Sequence, residues 1–428
     1  MRILFSNARI LTMTGKEIFV GDLIVKNNRI EYVGKEKKHD GEFDRIIDCD
    51  KNLLMPGFKN CHTHSPMVFL RSYADDMPLQ KWLFDFCIPA ESNLTGDDIY
   101  HLSKLAFLEY ISSGITACFD MYFYPHMFVK ACKEIGMRSL ITIMPTTYYT
   151  KEDMKRMFEE EENDKDSLCK YSFSLHSEYT PSKEEMDLIN DLVHEYKTPF
   201  FTHISETARE VQECKERRGM SPVEYFDKLG LFDYGGGGFH CIYFDDKDIE
   251  IFKKRGLTVV TNPGSNTKLA SGICDVHKYL NNGINIAIGT DGAASNNCLD
   301  MFKEMMLVSS LSKVQHMDAS AVPANEILKM ATINGSKCMN LKDGDTLEEG
   351  KLADIIMIDL HRPNMQPILN IEKNIVYSGS KENIKMTMID GKILYEDGKF
   401  NLNEDIEVIY QKAQECTDRL IYLARKNG

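Results

Sequence analysis

The sequence lacks several features that would assign it to a specialised class of protein. None of its apolar runs reaches the ~18 residues that a membrane-spanning helix needs. Its first residues also lack the apolar stretch and small-residue cleavage site of a signal peptide. The 12 cysteines are scattered and form no CxxC pair, which indicates reduced, buried side chains rather than a disulfide framework. We therefore expect a cytoplasmic protein with no membrane partner.

Positive charge is also in short supply. The chain has 51 Lys and Arg against 65 Asp and Glu, a formal net charge of -14, so no overall field attracts nucleic-acid phosphates. Its 428 residues are 43% hydrophobic and 27% charged, which excludes a disordered, collagen-like or coiled-coil chain. This length suits two or three domains of ~150 residues, or one large α/β barrel with a smaller companion.

Both ends of the chain show the short apolar runs and turn signals of antiparallel strands. The N-terminal part holds two such runs, and Asn27-Asn28 interrupts the second one at a tight turn. Near the other end, LADIIMIDL predicts a buried strand, while Asp390-Gly391 and Asp397-Gly398 predict hairpins. Apolar residues at helical spacing between residues 404 and 425 predict a final helix.

The middle of the chain alternates apolar runs with amphipathic segments, the pattern of βα units in a parallel sheet. Segments such as DDIYHLSKLAFLEYISSG have the apolar spacing of helices that cover a sheet. Eight such units over roughly 290 residues predict an α/β fold of TIM-barrel type, with an open doubly wound sheet as the alternative. The eight runs are centred on LLMPGFKNCHTH, GITACFDMY, MRSLITIMP, YSFSLHSE, TPFFTHISE, GGFHCIYF, GLTVVTNP and INIAIGTDG.

Polar residues close these runs, at the strand ends where barrel enzymes carry their reactive groups. His62 and His64 are two residues apart, which places both rings on one face of a strand. With His203 after the fifth run and Asp291 after the eighth, they would form a metal site of three histidines and one aspartate. This N/O environment suits zinc or ferrous iron. Four such residues at strand ends are hard to explain as ordinary core or surface residues.

Residues beside these candidate ligands suit proton transfer. A metal in such a site lowers the pKa of a bound water and so supplies a nucleophile. Glu206, three residues after His203, would shuttle protons, and Asp291 would serve as both ligand and base. His240, which ends the sixth apolar stretch, would orient the nucleophile. The alternative for Glu206 is a structural role in the N-cap region of the next helix, where Ser205 and Thr207 are candidate caps, but its proximity to the metal site favours the catalytic role.

Seven motifs follow one another in order along the chain. They are MPGFKNCHTHSPM at 55–67, HSEY at 176–179, FTHISET at 201–207, HCIYF at 240–244, NPGSNTKLASG at 262–272, GTDGAASNN at 289–297 and LEEGKLADIIMIDL at 347–360. Together they resemble the amidohydrolase superfamily, and within it the branch of methylthioadenosine/S-adenosylhomocysteine deaminases. The similarity extends from about residue 3 to residue 399. The order and spacing of the motifs make it more specific than any single one.

The resemblance implies a distorted (β/α)8 barrel over residues 55–344. It also implies a small β-sandwich-like domain built from residues 1–54 and 345–428, which includes the C-terminal helix. One divalent metal ion is expected, zinc first and iron as the alternative. The implied reaction is hydrolytic removal of ammonia from the purine ring of a small-molecule nucleoside.

The resemblance also implies roles for individual residues. Residues that match Glu91 and His176 contact the nucleoside, Glu91 through the ribose hydroxyls, and Glu206 contacts the purine. Ser295 matches a residue near the substrate, and Trp82 is a candidate for the pocket wall whose alternative place is the core. The implied metal ligands are His62, His64, His203 and Asp291, and the implied proton carriers are Glu206, His240 and Asp291.

Two departures from the family pattern narrow these expectations. Binuclear amidohydrolases carry a lysine at the end of the fourth strand, but here that run ends in His176 and Lys170 precedes it, so one metal is expected. Family members that accept S-adenosylhomocysteine carry an arginine late in the third strand. This sequence has Ile143 there, and Arg138 lies too early to replace it. We therefore expect an uncharged substrate such as methylthioadenosine, 5′-deoxyadenosine or adenosine.

Two alternatives remain open. The protein would be an aminohydrolase for another heterocycle, such as guanine, a pterin or a triazine, if its loops select a different substrate around the same metal chemistry. It would be an inactive metal-binding scaffold if Glu206 and His240 had no chemical task. The native metal, the 5′ substituent and the oligomeric state, including a homo-oligomer, also stay open.

Overall fold

The computed structural model describes residues 1–77 and 81–427, which form three β-sheets surrounded by helices. The strands are β1 (Arg2–Ile10), β2 (Phe19–Lys26), β3 (Arg29–Gly34), β4 (Arg45–Asp48), β5 (Leu53–Pro56), β6 (Phe58–Thr63), β7 (Ile115–Asp120), β8 (Arg138–Ile143), β9 (Cys169–Phe173), β10 (Phe200–Ile204), β11 (Gly236–His240), β12 (Thr258–Thr261), β13 (Asn285–Ile288), β14 (Ile355–Ile358), β15 (Ile384–Ile389), β16 (Lys392–Glu396) and β17 (Lys399–Phe400).

Helices connect the central strands and follow them along the chain. They are α1 (Ile88–Glu91), α2 (Gly96–Ser112), α3 (Pro125–Ile135), α4 (Lys151–Asn163), α5 (Lys183–Tyr196), α6 (Ala208–Arg218), α7 (Pro222–Lys228), α8 (Asp246–Arg255), α9 (Pro263–Lys268), α10 (Val276–Asn281), α11 (Ala293–Asn296), α12 (Met301–His316), α13 (Ala324–Ala331), α14 (Ile333–Cys338), α15 (Ile371–Tyr377) and α16 (Ile406–Asn427). Short 3-10 helices span Ser65–Leu70, Pro363–Met365 and Lys381–Asn383, and a π-helix spans Trp82–Cys87.

Both ends of the chain contribute to one nine-stranded sheet. Its order is β17-β16-β15-β14-β5-β1-β2-β3, and β4 pairs with β1. The predicted turns are confirmed, because Asn27, Asp390 and Asp397 all take positive φ angles in the hairpins that join β2 to β3, β15 to β16 and β16 to β17. The predicted C-terminal helix is α16.

This sheet is buried on both faces at its centre. In β14, Ile355 and Met357 pack into the apolar core of the nine-stranded sheet itself. Ile356 and Ile358 alternate with them and pack into the main core of the chain. A strand that is buried on both faces reads as an uninterrupted apolar run, which explains why LADIIMIDL shows no alternation.

All eight central runs that the sequence predicts as strands are strands, β6 to β13. They form two four-stranded parallel sheets, of order β6-β7-β8-β9 and β10-β11-β12-β13. The edges of these sheets adjoin, since the His203 N–H donates to the His176 carbonyl at 3.0 Å and the Asp291 N–H donates to the His62 carbonyl at 2.9 Å. The predicted α/β class is confirmed.

The first predicted run proves to be two strands. Leu53–Pro56 lies in the nine-stranded sheet as β5, and Phe58–Thr63 lies in a parallel sheet as β6. Gly57 separates them, and a Cβ there would lie 2.1 Å from the Cγ2 atom of Thr116. The chain therefore passes from one sheet to the other at a point that only glycine fits.

Hydrogen-bonded caps start many of the helices between the parallel strands. In a capping box, the N-cap side chain and the third helical residue each bind the other's backbone N–H, which satisfies two otherwise unpaired donors. Capping boxes begin α2, α4, α5, α7 and α8.

All twelve cysteines are free. Among the described residues, no helix has the length and apolarity to cross a membrane.

A buried ion pair joins the parallel strands to the nine-stranded sheet. Arg138 begins β8, and its Nε atom lies 2.6 Å from Oδ2 of Asp354, which directly precedes β14. Its Nη2 atom lies 3.1 Å from the other carboxylate oxygen of Asp354. That oxygen also accepts the Asp390 N–H at 2.8 Å. Lys59 is buried nearby, and burial lowers its pKa to about 8.

Removing one member of this pair should cost far more stability than removing a surface pair. We expect Arg138→Met to lower the free energy of unfolding by about 3–5 kcal/mol, because it leaves Asp354 buried without its partner. Lys385→Met is the control, since it breaks the exposed Lys385–Asp397 pair of 3.0 Å and should cost no more than ~1 kcal/mol. Urea denaturation measures both values, and equal losses would contradict the structural role of Arg138.

Candidate active site

The carboxyl ends of the parallel strands bring the four predicted metal ligands together. His62 and His64 lie at the end of β6, His203 lies in β10, and Asp291 follows β13. One candidate ligand atom from each lies within 4.8 Å of the others. The Nε2 atom of His64 is 3.2 Å from Oδ1 of Asp291 and 3.3 Å from Nε2 of His203. These four residues are the metal cluster.

Two backbone carbonyls fix the orientation of the rings in the metal cluster. The Nδ1 atom of His64 donates to the Met121 carbonyl at 2.5 Å, and Nδ1 of His203 donates to the His176 carbonyl at 2.8 Å. Each ring therefore keeps Nε2 free as a ligand atom. His62 is fully buried with no hydrogen-bond partner at either ring nitrogen, which suits a metal ligand better than an ordinary core histidine.

The electrostatics of the metal cluster also fit a cation. Burial lowers the pKa of His62 to about 3 and that of His203 well below its usual range, so both rings are neutral. Burial acts on His64 in the same direction, but the neighbouring Asp291 outweighs it and raises the pKa to about 9. Burial would raise the pKa of Asp291, yet the neighbouring His62 and His64 rings hold it well below its usual range. The carboxylate therefore needs a positive charge beside it.

His240 and Glu206, the predicted proton carriers, end neighbouring strands. The His240 ring lies 5.7 Å from that of His62 and 5.4 Å from that of His203, measured between centroids. Glu206 follows β10, and its N–H donates to the carboxylate of Glu210 at 2.8 Å. Glu210 is buried and accepts the Ser205 N–H as well, so it fixes the backbone from which the Glu206 side chain extends.

Backbone strain marks the same strand ends. Ser205, His240 and Asp291 have φ angles of 52°, 70° and 60°, a left-handed conformation that residues other than glycine seldom adopt. Such conformations persist only where the surrounding contacts enforce them. Two of the three residues are predicted to take part in the chemistry.

Ser295 contacts the metal cluster directly. Its hydroxyl donates to Oδ2 of Asp291 at 2.9 Å, and the Ser265 hydroxyl donates to the same oxygen at 2.6 Å. The other oxygen of Asp291 accepts the Gly292 N–H at 2.8 Å and faces the histidines. Both serines therefore act on the orientation of the Asp291 carboxylate.

Glu91 lines a cavity of about 190 Å³. Its Oε1 atom accepts a hydrogen bond of 2.5 Å from the Tyr122 hydroxyl, and the Tyr122 ring lies 6.2 Å from that of His64. Burial raises the pKa of Glu91. The described residues that line the cavity include no lysine or arginine; they are Ile88, Glu91, Ser92, Leu94, Phe123, Tyr124 and Tyr148.

The remaining predicted substrate contacts have different surroundings. The His176 ring lies 4.4 Å from that of His203, and burial lowers its pKa to about 4. Trp82 is buried in the main core and is absent from the described lining of the cavity at Glu91. Ile143 is fully buried at the end of β8.

Three residues of the site were not predicted individually from the sequence, although they belong to one of its motifs. Ser265, Asn266 and Ser271 all belong to NPGSNTKLASG, which follows β12. They hydrogen-bond Asp291, His240 and Glu206, respectively. The available signal was the position of the motif, since polar residues directly after a parallel strand lie at the reactive end of the sheet.

Comparisons with known proteins agree with this geometry. A model of the amidohydrolase family matches residues 53–394. A 5-methylthioadenosine/S-adenosylhomocysteine deaminase from Caldicellulosiruptor saccharolyticus is 37% identical over 406 residues, which cover 93% of this chain and 94% of the relative. A 5'-deoxyadenosine deaminase from Methanothermobacter thermautotrophicus is 37% identical over 423 residues, which cover 95% and 99%.

A solved structure is similar along nearly the whole chain. The crystal structure of an adenosine deaminase from Xanthomonas campestris with bound zinc has a TM-score of 0.91 and 28% sequence identity, and the match covers 98% of both chains. The family model covers well over half of this chain, and relatives above 30% identity cover nearly all of it. The chain therefore belongs to the amidohydrolase family.

Proposed function

We propose that the protein is a metal-dependent hydrolase that releases ammonia from the purine ring of adenine nucleosides with an uncharged 5′ group. The metal cluster, with His240 next to it and Glu206 two residues after β10, is the observation that carries this proposal. The names of the relatives, deaminases of methylthioadenosine, S-adenosylhomocysteine and 5'-deoxyadenosine, support the substrate class. Methylthioadenosine, 5′-deoxyadenosine and adenosine are the candidates.

The proposal extends to the architecture. Residues 55–344 form a distorted (β/α)8 barrel, supported by the adjoining edges of the two parallel sheets and by the similarity to the adenosine deaminase structure. Residues 1–54 and 345–428 form the β-sandwich-like companion, and β5 spans the boundary between residues 54 and 55. The cytoplasmic location and a homo-oligomeric state stay predictions.

One divalent ion would bind to His62, His64, His203 and Asp291, with zinc as the first choice and iron as the alternative. The unpartnered ring of His62 and the mixed nitrogen and carboxylate donors fit such an ion. When bound, the ion supplies an activated water for attack on C6 of the purine.

The protein's own side chains move the protons of the reaction. Glu206 donates a proton to the ring nitrogen N1 as oxygen bonds to C6. Asp291 and His240 take up the proton that the attacking water releases. That proton then passes through Glu206 to the amine, the C6–N bond breaks and ammonia leaves, and the C6 hydroxyl returns its proton to Glu206. Glu91 accepts hydrogen bonds from the ribose hydroxyls, and His176 contacts the nucleoside.

The substrate range tests this function directly. We expect zinc-loaded protein to release ammonia from methylthioadenosine or 5′-deoxyadenosine, and a chelator to abolish release until zinc is restored. S-adenosylhomocysteine should have a kcat/KM at least ~10-fold lower, because the described residues that line the cavity at Glu91 include no lysine or arginine to pair with its carboxylate. An ammonia assay over nucleosides, guanine, pterins and triazines measures this. No turnover of any nucleoside by metal-replete protein would refute the proposal.

The proton carrier is tested by substitution. We expect Glu206→Gln to lower kcat by ~10²–10⁴-fold with the metal content unchanged, because the amide cannot transfer a proton. Glu216→Gln is the matched control, an exposed glutamate in α6 that should leave kcat unchanged. Steady-state kinetics and metal analysis separate the outcomes, and a loss in both variants would contradict a specific role for Glu206.

Glu91 tests recognition of the ribose. We expect Glu91→Gln to raise KM for nucleosides by ~10-fold or more, because the charged acceptor for two hydroxyls is lost. Turnover of a heterocycle without a sugar should change little. A variant that retains wild-type kinetics on nucleosides would remove Glu91 from the binding site.

A further inference from the structure

We infer that Asn266 is a positioning residue for His240, and that residues 262–271 form one rigid segment that orients the groups that transfer protons. The inference rests on the proposed function for the reaction that these groups serve. It assigns a role to Asn266 and Ser271 of NPGSNTKLASG beyond the contact that Ser265 makes with the metal cluster.

The central contact joins Asn266 to the His240 ring. The Oδ1 atom of Asn266 lies 2.7 Å from Nδ1 of His240, and both residues are buried. An amide oxygen only accepts, so Nδ1 carries the hydrogen and Nε2 keeps its lone pair. The ring is thereby held in the one tautomer that can take a proton at Nε2.

The side chain of Asn266 makes no other hydrogen bond among the described residues. Its Nδ2 atom is buried without a hydrogen-bond partner among the described residues. A buried asparagine whose role was to hydrogen-bond backbone groups would also donate its amide hydrogens to backbone carbonyls. Its single polar contact is the one to His240, which indicates a role in orienting that ring.

The same segment holds two further groups. The Ser265 hydroxyl donates to Asp291 at 2.6 Å, on the oxygen that faces away from the histidines. The Ser271 hydroxyl donates to Oε1 of Glu206 at 3.1 Å. One short stretch of chain therefore contacts all three side chains that the proposed reaction uses for proton transfer.

Buried contacts fasten the segment to the fold. The carboxylate of Glu304, in α12, accepts the Gly264 N–H at 2.8 Å and an amide hydrogen of Asn296 at 2.8 Å. A Cβ on Gly264 would lie 2.4 Å from the Glu304 carboxylate. Within the segment, the Ser271 N–H donates to the Asn266 carbonyl at 2.9 Å. The segment is thus a rigid support of the kind that keeps reacting groups in place.

Three variants of zinc-loaded protein test the kinetic consequence. We expect Asn266→Ala to lower kcat by ~10–100-fold, with KM and metal content nearly unchanged, because the ring of His240 loses its fixed orientation. Asn266→Asp keeps an oxygen acceptor and should recover most of the rate. Asn281→Ala is the matched control, since Asn281 is an exposed asparagine in α10, outside the segment, and its side chain pairs with His277 of the same helix; its rate should be unchanged.

A second measurement does not depend on turnover. In protein labelled with ¹⁵N-histidine, the signal that His240→Ala removes identifies His240. We expect the Nδ1–H tautomer in the wild type and in Asn266→Asp, and a mixture of tautomers in Asn266→Ala.

The outcomes separate this inference from the proposed function. An Nε2–H tautomer in the wild type would overturn the inference, as would Asn266→Ala with a near wild-type rate or Asn266→Asp as slow as Asn266→Ala. If the wild type deaminates no nucleoside, the proposed function fails, but the tautomers still decide whether Asn266 orients His240.

Discussion

The buried carboxylate of Asp291 is the constraint on which the rest of the site depends. A charge in the interior of a protein is costly unless hydrogen bonds and an opposite charge compensate it. One oxygen of Asp291 accepts hydrogen bonds from Ser265 and Ser295, and the other accepts the Gly292 N–H and faces His64. The neutral rings of His62 and His203 add lone pairs rather than charge, and a divalent cation bound there would complete the balance. The other strand ends are arranged around this requirement.

The fold separates this site from the contacts that hold the two parts of the chain together. Arg138 lies at the start of β8, whereas the metal cluster lies at or beyond the carboxyl ends of its strands. Parallel strands place these two ends at opposite edges of the sheet, so the ion pair with Asp354 can stabilise the joint without entering the site. Gly57 belongs to the same edge as Arg138, where β5 continues into β6 after a single residue. The residues that stabilise the joint and those of the metal cluster thus lie at opposite ends of the parallel strands.

The sequence predicted those parts of the fold and site that depend on local pattern. The eight apolar runs contain the eight strands of the parallel sheets, and the polar residues that close them came together, because the direction of a parallel strand determines where its end lies. Other features depend on contacts between distant segments. The split of the first run at Gly57 follows from the proximity of Thr116, and the orientation of His64 follows from the Met121 carbonyl, which carries no sequence signal. The contact between Asn266 and His240 could not be predicted, because an asparagine in a motif does not indicate which side chain it hydrogen-bonds.

Recognition of the proposed substrate depends on the absence of basic side chains from the described lining of the cavity at Glu91. Its described lining consists of apolar, aromatic and hydroxyl groups together with one partly buried acid, and it contains no lysine or arginine. A neutral 5′ group can pack there, while a carboxylate would be desolvated near Glu91 without a partner. The cavity can discriminate against a charged ligand without a residue dedicated to that task, because the free-energy cost of an unpaired charge applies only to the charged ligand. In the proposed function, an amino-acid carboxylate would therefore find no favourable place beside Glu91, and selectivity for a neutral 5′ group would follow from the absence of a basic partner in this lining.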